Sequence, residues 1–138
     1  MALVLVVDDD ADARAVIESY LTKMGHAVTA AENGRAALTA LGATTVAPDV
    51  VVLDLMMPRM SGLDFLRVIR GYLRWAKLPV ILTTAYPDAP ELAEVSELGV
   101  KRIFAKGVYA LGDLWQCVNA LAANPDAPCG GNDDPHPA

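Results

Sequence analysis

Lysine and arginine are scarce and scattered in this sequence, 11 in 138 residues against 17 aspartates and glutamates. The net charge of -6, with no basic cluster, argues against a nucleic-acid surface, which must neutralise phosphates with lysine and arginine. Cysteine is nearly absent too. Cys117 lies in a helical pattern and Cys129 in a stretch rich in proline and glycine, so their spacing predicts neither a disulfide nor a metal framework. No segment approaches the length of a membrane span, and the apolar start at residues 2–7 is too short, and lacks the basic flank, for a secretory leader. A cytoplasmic protein is expected. Glycine-rich dinucleotide and P-loop patterns are missing as well.

What is present is apolar: 54% of residues, with only 20% charged, which fits one globular domain that buries a real core. The organising stretch is residues 48–62. Its first half, Val50 to Leu53, is a continuous β-branched run bracketed by Pro48, Pro58 and Gly62, the pattern of a strand buried on both faces. Asp54 stands at the end of that strand. A carboxylate there must be neutralised, paired or bound to a cation, because an isolated buried charge loses its hydration.

Four more strands are expected, at residues 3–7, 26–31, 80–84 and 102–105. The second is the most mixed in polarity, as an edge strand tends to be. Helical spacing connects them. Ala13, Val16, Ile17, Tyr20, Leu21 and Met24 form one face and Gly25 ends that helix; a short helix at 34–41 uses Ala37, Leu38 and Leu41. A third helix carries Leu63, Leu66, Ile69 and Leu73, an acidic one covers 88–98, and the last shows Leu111, Leu114, Trp115, Val118 and Leu121.

Strand and helix thus alternate five times, which calls for a doubly wound α/β sandwich with helices on both faces of a parallel sheet. The flavodoxin-like order 2-1-3-4-5 satisfies right-handed crossovers and puts the first and third strands together at the topological switch point. Beyond Ala123 the periodicity stops, and residues 124–138 are expected to be a disordered tail to a domain spanning 1–123.

This topology brings Asp8-Asp9-Asp10, Asp54, Thr83-Thr84 and Lys106 to one edge of the sheet. Each alone has an ordinary explanation: Asp10 or Asp12 caps a helix, the threonines are strand formers, Lys106 is a surface lysine. Together they carry complementary chemistry. Clustered carboxylates repel unless a cation joins them, and an all-oxygen donor set beside a phosphate suits Mg²⁺. Asp54, held ionised, is then a nucleophile able to form an acyl phosphate, with Lys106 and a threonine hydroxyl on the remaining phosphoryl oxygens.

The order of acidic pair, Asp54-Leu-Met-Met-Pro-Arg-Met-Ser-Gly, Thr84-Ala85 and Lys106 resembles the receiver domain of bacterial two-component response regulators, over residues 2–123. The resemblance implies Asp54 as phosphoacceptor, Asp8 and Asp9 as the metal-binding acidic pair, the backbone carbonyl of Met56 as a further Mg²⁺ ligand, Thr84 as the switch hydroxyl and Lys106 as the phosphate-pairing lysine. It further implies a sensor histidine kinase or phosphotransfer protein as phosphoryl donor. A downstream protein would then meet the last two helices and the fifth strand, with the first helix a candidate for docking the kinase. Because no output domain follows in the sequence, a single-domain regulator acting by protein binding or phosphorelay is expected, with neither nucleic acid nor membrane as partner.

Two positions depart from the family pattern. Gly107 follows Lys106 where the family usually has a cis-proline; a cis bond before a non-proline residue costs about 2.5 to 4 kcal/mol, so a trans bond is expected. Ile103 stands where an aromatic residue usually changes rotamer on activation, and Phe104 should face the other way by strand alternation. These departures leave open a receiver-fold scaffold that binds partners without phosphorylation. An aspartate-nucleophile phosphohydrolase is disfavoured because Met56, two residues after Asp54, cannot donate a proton. A flavodoxin-like phosphate cradle is disfavoured by the acidic triplet, which would repel the ligand.

Overall fold

The computed structural model describes residues 1–129. Five strands, β1 (Leu3–Val7), β2 (Ala27–Ala31), β3 (Val50–Asp54), β4 (Val80–Thr84) and β5 (Arg102–Ala105), form one parallel sheet in the order β2-β1-β3-β4-β5. Between and after them run α1 (Ala11–Lys23), α2 (Gly34–Gly42), α3 (Gly62–Arg70), α4 (Leu92–Glu97) and α5 (Leu111–Ala123). The expected architecture and strand order are those observed.

Strand alternation divides the core in two. Leu5, Val7, Val51, Leu53, Val80 and Leu82 pack with α2, α3 and α4, whereas Val4, Val6, Val50, Val52, Ile81 and Phe104 pack with α1 and α5. Every residue of β3 and β4 is buried, which explains why both read as unbroken apolar runs. Burying each such side chain contributes about 1.5–3 kcal/mol. At the sheet's edge, β2 exposes Thr29 and Ala30, in keeping with its mixed composition.

Caps set the helix starts. Asp10 accepts from the N–H groups of Asp12 and Ala13, so it is Asp10 that caps α1. Ser61 accepts from the Asp64 N–H to start α3. Three helical expectations need correction. Within α1 only Ile17 and Leu21 are buried, and Val16 is 52% exposed, because the helix meets the sheet along a narrower seam than its apolar stripe. The helix α3 ends at Gly71, and Leu73 falls in a one-turn 3₁₀ segment, Leu73–Trp75, where it is 98% exposed. Finally, α4 is only Leu92–Glu97, since Pro87 and Pro90 keep the preceding chain out of the helix.

The C-terminal segment departs further from expectation. The Asp126 N–H donates to Asn124 Oδ1 and the Ala127 N–H to the Asn124 carbonyl, a turn that sends the chain back along α5. Cys129 is buried among the residues beneath α5 and is disulfide-bonded to Cys117. Cys129 is therefore buried and the cysteines are paired, where sequence spacing predicted neither, while residues 124–126 and 128 stay exposed. Local periodicity cannot register a chain reversal whose anchor lies twelve residues upstream. The rest of the expected tail, 130–138, lies outside the described residues.

Candidate functional site

The C-terminal ends of β1, β3, β4 and β5 converge as the topology requires. Asp8, directly after β1, is 1% exposed, Asp54, the last residue of β3, is 3% exposed, and Asp9 stays exposed. One carboxylate oxygen from each lies within 4.8 Å of the others. Asp8 is fixed by its backbone: its N–H donates to the Ala31 carbonyl, and its own carbonyl accepts from Arg14 Nη1.

Lys106 enters from the end of β5, its backbone N–H donating to the Thr84 carbonyl at 2.8 Å. Its Nζ stands 3.0 Å from Asp8 Oδ2 and 3.3 Å from Asp54 Oδ2. One ammonium thus serves two buried carboxylates. Its hydrogen bond goes to Asp8 Oδ1 at 3.3 Å, so Asp8 Oδ2 is paired with the ammonium by charge and not by a hydrogen bond. Burial first, then repulsion from Asp8, raises the Asp54 carboxyl to about 7, with Lys106 only partly offsetting both. Burial alone would lower the Lys106 ammonium, but Asp8 and Asp54 outweigh it and hold it above its ordinary value.

These features fit a hard divalent cation: three carboxylates within bridging distance, a single ammonium shared between two of them, and an Asp54 carboxyl whose ionisation is held back by burial and by Asp8. Asp8, Asp9 and Asp54 are the side chains able to hold it.

Thr83, not Thr84, is the register partner of Asp54. Thr84 comes one residue later, wholly buried, its Oγ1 accepting from the Tyr86 N–H at 2.9 Å. Met56 and Tyr86, 46% and 58% exposed, line an open groove with Ala85 and Pro87 beside the site. The loop after β3 is tightly constrained. Arg59 takes φ +71° and the Met60 N–H donates to the Pro58 carbonyl, a γ-turn in the left-handed region. The Gly62 N–H then donates to the Leu55 carbonyl at 2.7 Å, closing the loop back onto the strand.

Both departures at β5 are resolved. No described peptide bond is cis; Gly107 instead takes φ +84°, a conformation that glycine adopts without steric cost. Ile103 packs toward α4 and Phe104 toward α5, as alternation predicted. Tyr109 is a residue that sequence reasoning passed over. It lines the same cleft as Asp8 and Lys106, its ring 5.1 Å from that of Phe104, and burial raises its phenol. No spacing rule marks a lone tyrosine in a loop.

The fold and this edge cluster define a doubly wound sheet with an acidic site at its switch point. The chain belongs to the response regulator receiver domain family, whose model matches residues 4–119. It is 33% identical over 117 residues to the Regulator of RpoS of Escherichia coli K12, covering 85% of this chain and 34% of that protein. To the transcriptional regulatory protein KdpE of Mycobacterium tuberculosis H37Rv it is 39% identical over 99 residues, 72% of this chain and 42% of that one. It therefore spans less than half the length of these relatives. Among solved structures, the chemotaxis protein CheY4 of Vibrio cholerae superposes with a TM-score of 0.77 at 26% identity, covering 88% of this chain and 98% of that one. The response regulator TrrA of Thermotoga maritima, solved in complex with Mg²⁺ and BeF, gives 0.74 at 30% identity, covering 88% and 99%. Receiver domains of this kind are signalling modules of two-component systems, and no described helix here is long and apolar enough to cross a membrane.

Proposed function

We propose that this domain accepts a phosphoryl group on Asp54 from a phosphohistidine of a sensor histidine kinase or phosphotransfer protein in the cytoplasm. The observation that carries the reading is the buried Asp54 carboxylate held beside Asp8, Asp9 and the Lys106 ammonium. An Asp54 oxygen attacks phosphorus, the bond from phosphorus to the histidine nitrogen breaks, and an acyl phosphate forms. Asp8, Asp9, Asp54 and the Met56 carbonyl would hold Mg²⁺, which when bound would supply positive charge against the carboxylates and the phosphoryl group. Lys106 leaves its shared position to pair with a phosphoryl oxygen. The Thr84 hydroxyl, which now only accepts, keeps its proton to donate to another.

Output is through protein binding or onward phosphotransfer, with α4, β5 and α5 as the downstream face and α1 meeting the donor. Transfer and hydrolysis are catalysed by the domain on itself, without turnover of a free substrate. Ile103 in place of an aromatic residue favours a second reading, in which the face is read without phosphorylation.

Beryllium fluoride, a phosphoryl mimic, separates the two. Amide spectra recorded with Mg²⁺, with fluoride and beryllium, and with all three should shift at Thr84 and Lys106, and across β5, only in the complete mixture. Shifts confined to Asp8, Asp9 and Asp54, with β5 and α5 unmoved, would support the second reading instead.

A further inference from the structure

The Cys117–Cys129 pair takes no part in the phosphorylation chemistry, and it ties the chain that follows α5 back onto the helix. Cys117 is on the inward face of α5 with no exposure, between Leu114 and Leu121. Cys129 reaches it because the turn at Asn124 reverses the chain. From Cys117 to Ala123 the helix climbs about 9 Å, and six residues of returning chain reach about 20 Å when extended. The Cα atoms stand 4.6 Å apart, inside the range that a disulfide spans.

Among the described residues, a side-chain hydrogen bond and the burial of Cys129 accompany the sulfur bond in holding this segment. The Cys129 carbonyl accepts from Arg102 Nη1 at 3.0 Å, the same guanidinium lying 4.4 Å over the Phe104 ring. The other hydrogen bonds of residues 124–129 are those of the turn itself and of the end of α5. Cys129 is the more exposed partner, 8% against none for Cys117, and it lies on a segment whose residues 124–126 and 128 are exposed.

We propose that Cys117 and Cys129 form a thiol–disulfide exchange site for low-molecular-weight disulfides, whose bond fastens residues 124–129 against α5 and β5 and whose reduction releases them. In the oxidising direction the Cys129 thiolate attacks one sulfur of the small disulfide and expels a small thiolate. The Cys117 thiolate then attacks the Cys129 sulfur and expels the second. Two cysteine thiols lose two electrons and two protons, and the small disulfide leaves as two thiols. In the reducing direction an incoming thiolate meets the Cys129 sulfur, because Cys117 is shielded. The site is independent of Asp54.

The test uses the full chain in glutathione buffers of graded disulfide-to-thiol ratio, with intact mass, peptide mapping and subtilisin digestion. Oxidised protein should show the 117–129 bond and no alkylation after unfolding. Cleavage within residues 124–129 should be about tenfold slower than in reduced protein. Cys129→Ser should be cleaved like the reduced wild type in every buffer, which separates the clasp from any packing effect of changing Cys117. Oxidation that stops at a glutathione adduct, that crosslinks two chains, or that leaves cleavage unchanged would overturn the proposal.

Discussion

The ammonium of Lys106 lies 3.0 Å from Asp8, nearer than the 3.3 Å that separates it from Asp54. The lysine therefore occupies charge that a cation would otherwise satisfy, and it stands on the carboxylate that is not the nucleophile. Replacing it exposes that competition. Lys106→Met should bind Mg²⁺ about tenfold more tightly by calorimetry, one nearby positive charge having been removed, while losing the phosphoryl-dependent shifts at β5. Unchanged or weaker Mg²⁺ binding would mean that the lysine does not contend for the same oxygens.

Asp54 should leave a signature in stability against pH. Its carboxyl is raised from 3.8 to about 7, so between those values the folded chain holds a proton that the unfolded chain has released. Stability from this group is complete below the unfolded value, falls as pH rises through the window, and levels off above it. Asp54→Asn should remove that slope and be more stable than the wild type by about 2 kcal/mol at pH 8 in chelator. Added Mg²⁺ should narrow the difference. Urea melts across pH 4.5–8 measure both, and a wild type that gains stability relative to Asp54→Asn with rising pH would contradict the assignment.

Gly62 closes the loop that carries the γ-turn. A Cβ there would lie 2.9 Å from Leu55 Cα and against the carbonyl oxygen of Asp54, both backbone atoms of the site strand. Gly62→Ala should cost about 2–3 kcal/mol and displace Asp54. At Gly42, where a Cβ meets nothing within 4 Å, the same change should be nearly neutral or stabilising. Thermal unfolding of the two variants side by side is the check.

Arg70 binds three loop ends together without a carboxylate. Its guanidinium donates to the carbonyls of Leu98, Trp75 and Leu78, tying α3 to the end of α4 and to the approach to β4. Arg70→Ala should destabilise the domain by about 3 kcal/mol. Arg70→Lys should recover less than half of that, since a point ammonium cannot reach all three acceptors.

The sheet was legible because buried parallel strands write themselves as apolar runs, and β3 and β4 are buried on both faces. The acids, Thr84 and Lys106 could be placed together because the topology fixes which strand ends meet. Leu73 shows the limit of helical spacing: it continues the α3 stripe in sequence, but Gly71 has already ended the helix. The γ-turn at Arg59 and the pairing of Cys117 with Cys129 depend on tertiary closure, which no local pattern encodes. Tyr109 belongs with them, visible only once β5 and its loop are in place.

Intact mass after incubation with acetyl phosphate tests the central claim most directly. Wild-type protein should gain one phosphate, about 80 Da, only when Mg²⁺ is present, and Asp54→Asn should gain none under the same conditions. A phosphate adduct that survives in Asp54→Asn, or its absence from the wild type at saturating Mg²⁺, would contradict the account.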